Sequence, residues 1–180
     1  MKTAITGGIG SGKSYVCSLL RQRGIEVYDC DEAAKRILRT RGDIRQKLSQ
    51  LIGVTPLTKA AMAAFLLQSE ANTHAIDAIV HPAVADDFMQ SGLQWMESAI
   101  LFESGFNRLV DRAIVVTAPE EIRIRRIMER DGISRQKALQ WMARQWPQDE
   151  LLRRADYELV NDGSTPLEPQ IERLLSSIHS

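Results

Sequence analysis

Near the start of the chain, residues 7–14 read Gly7-Gly-Ile-Gly-Ser-Gly-Lys-Ser14. They restrict the possible folds more than any other stretch. They fit G-x-x-x-x-G-K-[ST], a glycine-rich turn whose backbone N–H groups close around an anion. The surroundings agree with that reading. Lys2-Thr-Ala-Ile-Thr6 reads as a short strand, and Val16, Cys17, Leu19 and Leu20 form the apolar stripe of a helix that stops near Gly24. Glycines let the turn wrap inward, and a helix N-terminus adds about half a positive charge. In such a loop Lys13 reaches the β- and γ-phosphates of a nucleotide, and the Ser14 hydroxyl binds magnesium.

Five stretches read as strands: Lys2–Thr6, Ile25–Tyr28, Trp95–Leu101, Arg112–Thr117 and Tyr157–Val160. Each is followed by helical periodicity, so the pattern predicts an α/β fold with a five-stranded parallel sheet. Residues 31–92 carry no strand signal and read as a helical insertion. Its stripes are Ile44/Leu48/Leu51/Ile52, Ala60/Ala61/Ala64/Phe65/Leu67 and Ile76/Ile79/Val80/Val84, the last interrupted at His81-Pro82. A second helical segment, 119–154, places Arg123, Arg126 and Arg130 on one helix face. Such a face is either solvated surface or a lid that closes on a triphosphate. Thr165 and Glu168 predict a capping box, with Pro166 at the first helical position. The core is then 1–30, 93–118 and 155–180, carrying an insertion (31–92) and a lid (119–154) in one domain.

Composition narrows the function classes. The 180 residues have a net charge of zero, which gives no bulk attraction to nucleic acid or to a membrane surface. No apolar run approaches a membrane span. The first strand begins at Lys2 with no signal peptide before it, so a cytoplasmic location is expected. Cys17 and Cys30 show neither metal nor disulfide spacing and read as reduced, buried thiols. Arginine outnumbers lysine 17 to 6, and eight of the arginines fall between Glu120 and Arg154. That local surplus suits bidentate binding of phosphate.

In an open parallel sheet, ligands bind beyond the carboxyl ends of the strands. There the chain places the glycine loop, Asp29-Cys-Asp31, Glu97 with Glu103, and Asn161-Asp-Gly163. Asp31 is the first choice for accepting a hydroxyl proton, with a helix N-cap as its alternative. Asp29 is expected to pack or cap. His81 reads equally as a substrate contact or as a loop histidine that caps a helix. His74 and His179 have no evident partners, and the three tryptophans read as packing residues.

Taken together, Thr6 to Ser14, Val27-Tyr-Asp-Cys-Asp31, Ile79-Val-His-Pro82, Ile100-Leu-Phe-Glu103, Arg126 to Gly132, Gln145-Trp-Pro147 and Ala155 to Gly163 resemble the dephospho-CoA kinase family in content and order. The resemblance implies a P-loop NTPase core with a helical substrate-binding insertion and a helical lid, acting on dephospho-CoA with ATP and Mg2+. It implies Asp31 as general base, Gly10 to Ser14 as the ATP site and Arg130 as a lid arginine near the phosphates. His81 falls in the acceptor half. The expected catalytic set is Asp31, Lys13 and Arg130. The expected nucleotide set is Gly8, Gly10, Ser11, Gly12, Lys13, Ser14, Tyr15 and Asn161, with Ser14 on the metal. Asp31, His81 and Glu103 are expected to serve the acceptor. The chain departs from the family pattern at Tyr15, where Thr is usual, and at Glu97-Ser-Ala99, which replaces Asp-x-Pro. It is also short around Gly53–Leu57. The alternatives are another small P-loop nucleoside or nucleotide kinase and a non-catalytic nucleotide-binding relative. A guanine-nucleotide switch is disfavoured because no Asn-Lys-x-Asp motif occurs.

Overall fold

The computed structural model describes residues 1–178; His179 lies outside the described residues. The contacts divide the chain into two compact units, 1–28 with 93–180, and 29–92.

The larger unit is built on strands β1 (Thr3–Thr6), β2 (Val27–Asp29), β3 (Trp95–Glu97), β4 (Arg112–Thr117) and β5 (Tyr157–Val160), in the order β2-β3-β1-β4-β5. β1 runs parallel to β3 and β4, and β4 runs parallel to β5. β1 and the Ala113–Thr117 part of β4 are buried throughout, as central parallel strands covered on both faces must be. On one face Ile5, Ile114, Val116 and Leu159 pack against Val16, Leu19 and Leu20 of α1 (Lys13–Gln22) and Leu167, Ile171 and Leu174 of α9 (Leu167–Ile178). Residues 120–154 form α6 (Glu120–Asp131), α7 (Arg135–Met142) and α8 (Gln148–Arg154). A smaller cluster of Ile124, Ile127 and Ala138 joins α6 to α7, and α8 packs on β4.

The 29–92 unit contains α2 (Cys30–Thr40), α3 (Gly42–Ile52), α4 (Lys59–Gln68) and α5 (Glu70–Ser91). α5 is the long member, and α2, α3 and α4 all pack on it. Ala33, Ile37, Ile44, Leu48, Ile76, Val80, Val84 and Phe88 supply its buried side chains.

Several expectations are corrected. The third strand ends at Glu97 rather than Leu101. The rest of that apolar run turns into the interior, where Leu101 is fully buried, and burial in a turn looks like burial in a strand to a pattern reader. His81-Pro82 does not interrupt a helix, because α5 runs through both residues. Pro82 forfeits one backbone bond, but buried Val80, Ala83 and Val84 hold the helix on either side. His81 is therefore not a loop cap. Helix α4 buries none of its residues, and Leu67 is 85% exposed despite its place in the expected stripe. Instead of the capping box, Thr165 donates its hydroxyl proton to Asp162, whose carboxylate also accepts from the Ser164 and Thr165 N–H groups. These bonds hold the Asp162 carboxyl far below its ordinary range, and the helix starts only at Leu167. Both cysteines are buried, and neither is in a disulfide, as expected.

Candidate active site

β1 delivers the chain into the glycine loop, and α1 leaves it. Gly12 caps α1 at φ 89°, a left-handed conformation that favours glycine. A methyl group there would collide with the Asn161 amide, and one at Gly10 would meet the Arg123 carbonyl oxygen at 2.6 Å. The loop is thus gripped too closely for side chains. The N–H groups of Lys13 and Ser14 open α1, where no helix carbonyl is available to them.

The groups facing away from the anion pocket are taken up by other parts of the same unit. The Arg123 Nε donates to the Ile9 carbonyl (3.0 Å). One Arg126 nitrogen donates to the Gly10 and Ser11 carbonyls (3.3 Å each). The Asn161 amide donates to the Ser11 carbonyl (2.8 Å), and the Ile9 N–H donates to the Gln145 side chain (2.7 Å). Asn161 is held in turn by its own N–H on the Thr117 carbonyl and by Arg126 on its side-chain oxygen. Its contacts are thus with the loop and with the arginine that braces it.

Glu97 is the group that sequence reasoning left out of the expected set. It is the last residue of β3 and lies in register with Ile5 of β1. One carboxylate oxygen accepts from both the Lys13 ammonium (2.6 Å) and the Ser14 hydroxyl (2.7 Å). The other lies 3.8 Å from Arg21. Glu97 is 4% exposed. Burial alone would push its carboxyl upward, but the Lys13 charge and the bonds from Lys13, Ser14 and Cys17 outweigh burial and hold it below its ordinary value. The same burial, with Glu97 alongside, pushes the Cys17 thiol strongly up, so it stays a neutral thiol. The available signal was an acid closing a strand. What the sequence hid was that β3 lies beside β1.

The other expected residues are placed as follows. Arg130 is 61% exposed and bonds to Asp131, while Arg123 and Arg126 of the same face reach the loop. Tyr15 is 53% exposed in the first turn of α1. Glu103 is exposed and accepts from the Trp146 N–H at 3.4 Å. Trp146 stacks on Phe102 and lies under Arg154, in keeping with a packing role. In the 29–92 unit, Asp29 caps α2 by accepting from the Glu32 N–H (3.0 Å), which leaves Asp31 in the first turn without the capping task. His81 lies in α5 with Nε2 3.5 Å from Asp77, and His74 lies 3.8 Å from Glu70.

A glycine-rich anion-binding loop at the carboxyl end of a parallel sheet, with its lysine and serine held by a strand-end carboxylate, defines a P-loop phosphotransferase. The family model described as "Dephospho-CoA kinase" matches residues 1–166. The dephospho-CoA kinase of Bacteroides fragilis is 38% identical, over 99% of this chain and 93% of its own length. That of Porphyromonas gingivalis is 40% identical, over 98% and 93%. A crystal structure of TT1252 from Thermus thermophilus superposes with a TM-score of 0.84 at 34% identity, covering 98% of this chain and 97% of that one. The chain belongs to the dephospho-CoA kinase family.

Proposed function

We propose that this chain transfers the γ-phosphoryl group of ATP to the 3′-hydroxyl of dephospho-CoA, giving CoA and ADP in the last step of coenzyme A synthesis, in the cytoplasm. The observation that carries the reading is the Lys13–Glu97–Ser14 cluster at the mouth of the glycine loop, in a chain of this family. During transfer the bond from the γ-phosphorus to the β–γ bridging oxygen breaks and a bond to the acceptor oxygen forms. Lys13 and the loop N–H groups hold the phosphate oxygens, so charge moving toward ADP meets donors already in place.

Magnesium, when bound with ATP, neutralises charge on the β- and γ-phosphates. The donors fit a hard cation: a hydroxyl at Ser14 and an ionised carboxylate at Glu97 are both oxygen ligands. These are the residues that would hold it. Asp31 takes the hydroxyl proton of the acceptor. Its position in the first turn of α2, with the cap supplied by Asp29, supports that role. Arg130 covers the transferring group from the lid, and Tyr15, His81 and Glu103 line the substrates. An exposed arginine paired, among the described residues, with its chain neighbour Asp131 is able to change partners at little cost.

The test is a coupled assay with Mg-ATP. Dephospho-CoA is expected to yield CoA and ADP in equal amounts. Turnover of adenosine or AMP with none of dephospho-CoA would assign a different acceptor. ATP binding without transfer to any acceptor would make the chain a non-catalytic nucleotide binder.

A further inference from the structure

Among the described residues, no side chain compensates the charge of Arg123. The residue is 7% exposed. Its Nε bonds to the Ile9 carbonyl, and its outer guanidinium nitrogens lie against Gly8, where a methyl group would collide with them. Among the described residues no carboxylate lies within ion-pair distance of its guanidinium, and no further hydrogen bond engages its side chain. Glu120, one turn earlier on α6, acts on it only through space, and burial opposes its charged form. An arginine stays protonated even so.

A buried cation without a counter-ion is costly. The neighbouring charged side chains differ from it. Arg126 has three acceptors, the Gly10 and Ser11 carbonyls and the Asn161 side chain, and Lys13 has Glu97. Arg123 has one neutral carbonyl. If its task were only to brace Ile9, a neutral amide donor would serve without that cost.

We propose that Arg123 is a positioning residue for the nucleotide polyphosphate: it fixes Gly8-Ile9-Gly10 from outside the loop, and its charge finds its counter-charge in the phosphates that the loop encloses. This rests on the reading of the loop as the ATP site. The coupling is reciprocal, since whatever the phosphates gain from Arg123 the protein gains back as ligand-induced stability. Guanidinium and phosphates need not touch, because in a largely buried setting a cation acts strongly across a peptide.

The test compares Arg123→Gln and Arg123→Lys with wild type, using calorimetric titration of ATP, ADP and AMP and thermal unfolding with and without ATP. Wild type binding ATP checks the underlying reading, and failure there would sink that reading and this inference together. Given wild-type binding, R123Q is expected to unfold at or above the wild-type temperature without ligand. It is expected to bind ATP at least tenfold more weakly, with the loss shrinking from ATP to ADP to AMP, and to show a smaller ATP-induced thermal shift. R123K, which keeps the charge, is expected to recover most of the affinity. ATP binding by R123Q within twofold of wild type would overturn the inference. An equal loss for all three nucleotides, or an R123Q that unfolds when R123K folds, would also overturn it, because the arginine would then serve only the loop's structure.

Discussion

Replacing Glu97 with Gln removes one charge and leaves the shape almost unchanged. In the wild type that carboxylate accepts from Lys13 at 2.6 Å and from Ser14 at 2.7 Å, and the exposures of Lys13 and Glu97 are 12% and 4%. Breaking a buried pair by removing one partner costs about 3–5 kcal/mol. Two features lower that figure here. Gln keeps a carbonyl oxygen for one donor, and Lys13 sits at the loop mouth, where it can turn toward water. The expected loss is about 2–4 kcal/mol, which corresponds to roughly 4–16 °C for a chain of this size. The pH dependence supplies a second check. The folded Glu97 carboxyl lies below its ordinary value, so the unfolded chain binds its proton first as pH falls. Its contribution is complete above the unfolded value of about 4.3 and is lost as pH falls through the lower folded value. The gap between wild type and E97Q is therefore expected to be widest near neutrality and to close in acid. Thermal unfolding of both proteins at several pH values between neutrality and strong acid measures this. Equal stability at neutral pH, or a gap that stays constant into acid, would refute the ion-pair account of this cluster.

Gly12→Ala is expected to abolish detectable ATP binding, because the new methyl group meets the Asn161 amide at a φ of 89°; a variant with wild-type affinity in a titration would show that the loop tolerates a side chain there. Arg130→Ala is expected to lower the melting temperature by no more than about 4 °C, since a surface pair contributes roughly 0–1 kcal/mol, and to lower kcat more than it raises either KM. A change confined to the KM for dephospho-CoA would move Arg130 into acceptor binding. Asp31→Asn is expected to keep thermal stability and to lower kcat by roughly 10²–10⁴-fold. Asp29→Asn should keep both, because asparagine caps about as well as aspartate; the opposite pattern of turnover would exchange the two roles.

What the sequence revealed depended on how local the physics was. The glycine loop, α1, β4 and β5 follow from short-range signals: a turn that only glycine can make, and apolar residues at fixed spacing. Asp29 as the cap of α2 is also local, and the alternative of a capping Asp31 fell because the Glu32 N–H donates to Asp29, two residues earlier. Misses came where tertiary context decided. Pro82 reads as a break, yet packing carries α5 through it. Leu67 belongs to an apolar stripe, yet its side chain faces out. Glu97 became recognisable only when the strand order placed β3 beside β1, and no spacing rule contains that neighbour relation.

The arginine surplus between Glu120 and Arg154 separates into two uses once the loop is seen from both sides. A phosphate-binding loop turns its N–H groups inward, so its carbonyls point outward and need donors that no strand or helix supplies. Arg123 and Arg126, three residues apart on α6, meet that need at Ile9, Gly10 and Ser11. A neutral donor would satisfy the same carbonyls, but a guanidinium also brings positive charge close to where phosphates bind. Arg135, Arg153 and Arg154 instead pair with Glu121, Asp149 and Glu150 at the surface. Such pairs contribute little stability and keep the net charge of the segment low. The helix that braces the loop thus sets cations on the loop carbonyls at two points, and the spacing of three along α6 selects which arginines those are.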